Sequence, residues 1–174
     1  MEGDEYKYYW NVNKYDVFIS FRGEDTRASF TSHLYAALQN DGINVFRDDD
    51  SLQRGDQISI SLLEAIENSQ IAIIVFSRNY AESRWCLDEL VKIMECRKTI
   101  RQVVFPVFYD VDPSEVRHQK GKFGEVFQSL LNKKSNDILN RGYELCWKGV
   151  LWAAANLAGF VVLNSRYFLF SINA

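Results

Sequence analysis

The side chain with the strongest claim to chemistry is Glu89. It lies in the stretch Ser83-Arg84-Trp85-Cys86-Leu87-Asp88-Glu89-Leu90-Val91-Lys92-Ile93-Met94. Residues three and four apart share a helix face, so a helix capped by Ser83 sets Trp85, Cys86, Glu89 and Ile93 on one side. A carboxylate among Trp, Cys and Ile is costly to bury as an ion. Either Glu89 sits at the edge of the stripe and reaches water, or the fold keeps it there for its charge. Asp88 points elsewhere and needs no such account. Cys86, one turn before Glu89, is a candidate nucleophile, although a cysteine in that company more often only packs. Arg22 and Arg27 can meet phosphates by charge-assisted hydrogen bonds, or simply pair with Glu24 and Asp25.

Other chemistries find less support. Asp48-Asp49-Asp50 offers oxygen ligands for a hard cation. Three consecutive acids alternate in direction, however, and no companion carboxylate cluster stands elsewhere, so a solvated loop and no metal site are expected. A phosphotransfer receiver needs an acid at the end of its third strand, and Val75-Phe76-Ser77 has none. After the first strand, Gly23 stands alone where a dinucleotide fold needs Gly-x-Gly-x-x-Gly. His33 and His118 are too scattered to argue for a metal or a triad.

The elements that must position Glu89 follow from length and pattern. A chain of 174 residues, 47% hydrophobic and 25% charged, suits one globular domain with a real core. A net charge of −3 argues against a general nucleic-acid binder. Cys86, Cys96 and Cys146 form no CxxC pair and read as free thiols in a reducing compartment. No apolar run reaches membrane-spanning length, and the acidic, aromatic residues 1–13 lack the basic start of a secretory signal. A cytoplasmic domain is expected.

Five apolar runs, at 15–20, 43–46, 71–76, 103–109 and 160–163, alternate with helical stripes. Continuous runs of this kind suit strands covered on both faces of a parallel sheet. The stripes are Phe30, Leu34, Ala37, Leu38; Ile58, Leu62, Leu63, Ile66; Phe123, Val126, Phe127, Leu130, Leu131; and Trp147, Leu151, Ala154, Ala155, Ala158. Asp41-Gly42 ends the first and Gly159 is placed as the C-cap of the last. Asp112-Pro113-Ser114-Glu115 reads as a capping box with proline at the first helical position. The polar stretch 132–142 reads as a loop or a broken helix. The whole predicts a doubly wound α/β domain with right-handed crossovers. Its ligands bind outside the carboxyl ends of the strands, at residues 21–27, 47–56, 77–85 and 110–117. Glu89 opens the helix after the third run and can reach that rim.

Four segments carry a family resemblance. Tyr15-Asp16-Val17-Phe18-Ile19-Ser20-Phe21-Arg22-Gly23-Glu24-Asp25-Thr26-Arg27 resembles the first signature of plant Toll/interleukin-1 receptor (TIR) domains. Residues 46–55 resemble the loop after the second strand. Ser83-Arg84-Trp85-Cys86-Leu87-Asp88-Glu89-Leu90 resembles the catalytic helix. Residues 105–117 resemble the segment around the fourth strand. The match runs from about residue 14 to about residue 163. The resemblance implies a flavodoxin-like, five-stranded parallel fold, with an extension at 1–13, the domain at 14–164 and a tail at 165–174. Family members usually end in a long acidic helix that builds one self-association surface; residues 165–174, a short apolar tail, depart from that pattern. Both a TIR-only protein and a domain excised from a receptor fit.

The resemblance also implies a function. Many plant members hydrolyse NAD⁺ at the nicotinamide-ribose bond in immune signalling, releasing nicotinamide and ADP-ribose or cyclised variants. The catalytic carboxylate falls on Glu89. Phe21, Arg22, Gly23, Ser83, Trp85 and Cys86 would bind substrate, and Asp48, Asp49, Leu52, Arg54 and Gly55 would form a gating loop. Ser32, His33 and Gly159 would serve self-association. NAD⁺ would be substrate, with NADP⁺ open as a second one, and no cofactor is required. The partner would be another TIR domain, with no membrane and no expected nucleic acid, in the cytoplasm or also the nucleus. The alternative is a non-catalytic module that recruits other TIR domains.

Overall fold

Four apolar runs pair side by side in one parallel sheet. The computed structural model describes residues 14–46, 60–133 and 138–163. Within them β1 is Tyr15–Phe21, β2 Ser69–Phe76, β3 Val103–Tyr109 and β4 Phe160–Val162. The sheet order is β1-β2-β3-β4, and every neighbouring pair is parallel. β1 and β2 run in register from Tyr15 opposite Ser69 to Phe21 opposite Val75. The expected strand at 43–46 is reduced, among the described residues, to one parallel bridge between Val45 and Val17. The Asp16 amide donates to the Asn44 carbonyl at 2.8 Å, and the Phe46 amide to the Val17 carbonyl at 2.9 Å. The second segment thus follows the open edge of the first, and the chain reverses direction across the sheet at β1. That reversal is the switch point at which doubly wound sheets bind ligands.

Helices fill the crossovers: α1 Gly23–Thr26, α2 Ser32–Asn40, α3 Ile60–Glu67, α4 Arg84–Thr99, α5 Pro113–His118, α6 Gly121–Asn132 and α7 Ile138–Ala155. A π-turn at Arg27–Thr31 joins α1 to α2, with a kink at Ser29 (φ −135°, ψ −107°). Successive strand residues face opposite sides of a sheet. Val17, Ile19 and Val75 accordingly meet Phe30, Leu34 and Leu38 of the α2 side. Phe18, Ile74, Phe76 and Phe108 join the larger core with Leu62, Leu87, Leu90, Phe123 and Leu151. Ser20, two residues beyond Phe18, faces this larger core and is fully buried.

Local chemistry sets the helix ends. Gly42 has φ +79°, which a glycine adopts without a Cβ penalty. The Ile43 amide donates to the Leu38 carbonyl and the Gly42 amide to the Gln39 carbonyl, closing a Schellman motif at the end of α2. Asp112 accepts from the Ser114 amide at 2.6 Å, with Pro113 in the first turn of α5. The expected box is left open, because the Glu115 carboxylate instead accepts from the Phe123 amide of α6.

Three further expectations change. Residues 138–142 belong to α7 rather than to a loop. That helix ends at Ala155, so Gly159 is not its cap. A Cβ on Gly159 would stand 2.3 Å from the Pro106 carbonyl oxygen, so the residue is small because β3 lies against it. Nor is the sheet covered on both faces throughout: Val103, Phe105, Phe160 and Val161 are exposed at its β3–β4 end. The stripe position Ile58, the extension 1–13 and the tail 165–174 lie outside the described residues.

Candidate active site

Ser83 starts the helix that carries Glu89. Its backbone is extended and its hydroxyl accepts from the Cys86 amide at 3.3 Å, an N-cap for α4. From that start the helical repeat buries Cys86, Glu89, Leu90 and Ile93 and leaves Trp85 half-buried. The snorkelling alternative does not hold, since Glu89 is only 7% exposed. Its Oε2 accepts from the hydroxyl of Ser20 at 2.6 Å. The Ser20 Oγ also lies 2.9 Å from the Tyr80 Oη, and the phenol donates to the Cys86 carbonyl at 2.9 Å. Sequence reasoning passed over Ser20 and Tyr80. The one sign of the first was a hydroxyl inside an otherwise apolar strand.

Glu89 forms part of the wall of a cleft of about 730 Å³ at the carboxyl end of β1. Phe21, Arg22, Gly23, Ser83, Trp85 and Cys86 line the same cleft, so the implied substrate residues are brought together. Glu24, Arg27, Glu82 and Lys133 complete the rim. The rim is a mixture of charges. Arg22 meets Glu24 at 2.6 Å, Asp25 at 2.7 Å and Glu82 at 2.8 Å. Burial opposes its charge, but Asp25 above all, with Glu24 and Glu82, holds the guanidinium pKa above its ordinary value. Asp25 in turn accepts from Ser77 Oγ at 2.5 Å and from the backbone and side-chain nitrogens of Asn79 at 3.2 Å each. Burial works against that carboxylate, yet Ser77, Asn79 and Arg22 together keep its pKa below the usual range. The guanidinium of Arg27 stacks over the Phe21 ring, 4.9 Å from its centroid.

The nucleophile reading of Cys86 fails on its surroundings. The thiol is buried and donates to the Phe21 carbonyl at 3.6 Å. Burial, and then the nearby Glu89, push its pKa well above the ordinary thiol range, leaving no thiolate to attack. Asp88 also needs an account after all: it accepts from the indole N–H of Trp147 at 3.1 Å, tying α4 to α7.

The remaining site expectations lie elsewhere. The gating positions Asp48, Asp49, Leu52, Arg54 and Gly55 fall outside the described residues. Ser32 and His33 are exposed on α2, and Gly159 is exposed ahead of β4. Among the described residues no group of three or more His, Cys, Asp or Glu could hold a metal ion, and no helix is long and apolar enough to cross a membrane.

A family model described as TIR domain matches residues 14–167. The chain belongs to the TIR domain family. It is 56% identical over 153 residues to disease resistance protein RPV1 of Vitis rotundifolia, covering 88% of this chain and 10% of that protein. It is 55% identical over 145 residues to TMV resistance protein N of Nicotiana glutinosa, covering 83% of this chain and 12% of that protein. The chain therefore spans about a tenth of the length of these curated relatives. Among solved structures it is similar to the TIR domains of the activated Roq1 resistosome, which directly recognises the pathogen effector XopQ. The TM-score is 0.76 at 48% identity, covering 84% of this chain and 87% of that one. The four strands and buried Glu89 described above are thus those of a TIR domain of the plant disease-resistance kind.

Proposed function

We propose that this TIR domain is an NAD⁺ nucleosidase of plant immune signalling, with Glu89 as the catalytic carboxylate. The observation that carries the reading is a buried carboxylate in the wall of a cleft, beside the half-buried indole of Trp85. In the reaction the bond between the ribose C1′ and the nicotinamide nitrogen breaks. Its electron pair returns to the ring and neutralises the pyridinium, so the leaving group needs no acid. Positive charge develops on the ribose, as in glycoside cleavage. A nearby carboxylate in a poorly hydrated setting stabilises that charge far better than one in water. Water then adds its oxygen to C1′ and gives up a proton, for a net yield of nicotinamide, ADP-ribose and H⁺. Arg22, Arg27 and Lys133 on the rim suit the diphosphate. NAD⁺ is substrate here, and no separate cofactor is invoked.

Self-association is part of the proposal, because the similar Roq1 domains were solved within an activated resistosome. Ser32, His33 and Gly159 are the candidate contacts, and the cytoplasm or nucleus the compartment. A second reading, a non-catalytic TIR–TIR module, draws on the exposed apolar side chains of Val103, Phe105 and Phe160, which share one face of the sheet. Nicotinamide release from NAD⁺ by concentrated or tethered protein separates the two. Glu89→Ala should lower the rate at least about 100-fold with the fold intact. An inactive wild type, or an active Glu89→Ala variant, refutes the nucleosidase reading.

A further inference from the structure

Ser20 and Tyr80 stand behind Glu89, and neither lines the cleft. Three contacts run from the carboxyl group to the helix backbone: Glu89 Oε2 to Ser20 Oγ at 2.6 Å, Ser20 Oγ to Tyr80 Oη at 2.9 Å, and Tyr80 Oη to the Cys86 carbonyl at 2.9 Å. Both hydroxyl residues are fully buried, out of reach of solvent. Each hydrogen bond needs one proton, and the two hydroxyls own two. With Glu89 ionised, Ser20 donates to it, and the single phenol proton serves either Ser20 or the Cys86 carbonyl. With Glu89 protonated, it donates to Ser20, Ser20 to Tyr80, and Tyr80 to the Cys86 carbonyl. All three contacts are then filled, and only hydroxyl hydrogens have turned.

We propose that Ser20 and Tyr80 are positioning residues for Glu89, two buried hydroxyls that hold its carboxyl group in either charge state by reversing their hydrogen bonds. This rests on the reading of Glu89 as the carboxylate of ribosyl cleavage. When water adds to C1′, the new C–O bond forms from a water lone pair and the water proton passes to Glu89. The relay then holds the protonated acid at the same position until the proton leaves for solvent. Burial, and then Cys86 and Glu89, push the Tyr80 phenol well above its ordinary range, so Tyr80 keeps its own proton throughout. Among the described residues, the charged groups that line the cleft with Glu89 are Arg22, Glu24, Arg27, Glu82 and Lys133, with Asp25 paired to Arg22 and the Cys86 thiol near Glu89. None of them changes in the variants below.

The test is a carboxyl-carbon NMR titration of the full chain labelled in its glutamates, with the Glu89 signal assigned through Glu89→Gln. Tyr80→Phe removes two bonds from the protonated form and one from the ionised form, and should lower the Glu89 midpoint by about one pH unit. Ser20→Ala removes one charge-assisted bond from the ionised form and two neutral ones from the acid; a charge-assisted bond is roughly twice as strong, so the two losses offset and the midpoint should stay within about half a pH unit. A downward displacement in Tyr80→Phe with the Ser20→Ala midpoint nearly unmoved supports the relay; an unmoved or raised midpoint in Tyr80→Phe overturns it. Tyr80→Phe keeps the ring that packs edge-on to Phe76 at 5.0 Å, so its midpoint decides alone if Ser20→Ala fails to fold. In the NAD⁺ assay the pH profile of kcat should move with the Tyr80→Phe midpoint while KM stays unchanged. Ser20→Ala should also lower kcat about tenfold. A kcat loss in Tyr80→Phe with an unmoved midpoint overturns the relay and leaves the nucleosidase reading standing. An inactive wild type refutes the nucleosidase reading, while the titration still decides the relay.

Discussion

Asp25→Asn should be among the costliest single changes on the rim, although Asp25 lies on a four-residue helix in the segment after β1. Its carboxylate accepts from Ser77 Oγ, from two nitrogens of Asn79 and from Arg22 Nη1, and its side chain is 13% exposed. Asparagine keeps the shape but replaces one oxygen by an NH₂ donor. Donors then face donors on one side, and Arg22 loses its best-buried counter-charge. Breaking a largely buried, hydrogen-bonded charge in this way costs about 2–4 kcal/mol. With a urea m-value of about 2 kcal/mol/M, the unfolding midpoint should fall by roughly 1–2 M. The pH dependence has a definite sign. A carboxylate held below its ordinary value stabilises the fold above the unfolded pKa, near 3.8, and loses that contribution as pH falls through the lower folded value. The stability gap between wild type and variant should therefore be full at neutral pH and narrow below pH 3.8. Other carboxylates are common to both proteins and cancel in the difference. Urea melts at neutral and acid pH measure the gap. A gap under about 0.5 kcal/mol, as at an ordinary surface site, would refute the reasoning, and so would one that does not narrow in acid.

Two changes elsewhere test the geometry more simply. Glu82→Gln removes an exposed carboxylate from Arg22 and should cost less than about 1 kcal/mol of stability, as surface pairs do. If NAD⁺ is the substrate as proposed, it should also lower the KM for NAD⁺ a few-fold, an effect that added salt erases, because Glu82 would compete with the diphosphate for the guanidinium; an unchanged or raised KM contradicts a phosphate role for Arg22. Gly159→Ala places a Cβ against the rigid Pro106 carbonyl and should destabilise by about 1–3 kcal/mol in a thermal or urea melt, whereas a neutral result would show that β4 can move away from β3.

Much of this was legible from local pattern. The strands at 15–21, 69–76 and 103–109 came from continuous apolar runs, and the ends of α2 and α5 from Gly42 and from Asp112-Pro113, because those signals act within a few residues. Errors arose where distant packing overrode such signals. Gly159 has the residue type of a helix cap, yet its size answers to β3. Glu115 has the capping-box spacing, yet α6 offers its carboxylate a different amide. Asp88 looked like a solvent-facing neighbour, but Trp147 of α7 arrives with an N–H to satisfy.

The sequence by itself determined which residues could share a face: helical repeat puts Cys86, Glu89 and Ile93 together whatever surrounds them. It also supplied the motif that names the family and points to Glu89. Only the tertiary structure decided what surrounds that carboxylate. Ser20 meets Glu89 across 69 positions of chain and Tyr80 across 60, because β1 and β2 pair in one register and α4 crosses back over the larger core. Spacing along a chain carries no record of such a meeting. It depends on the summed packing of every element between, and that sum supplies the hydroxyl partner that offsets the cost of burying the carboxyl group.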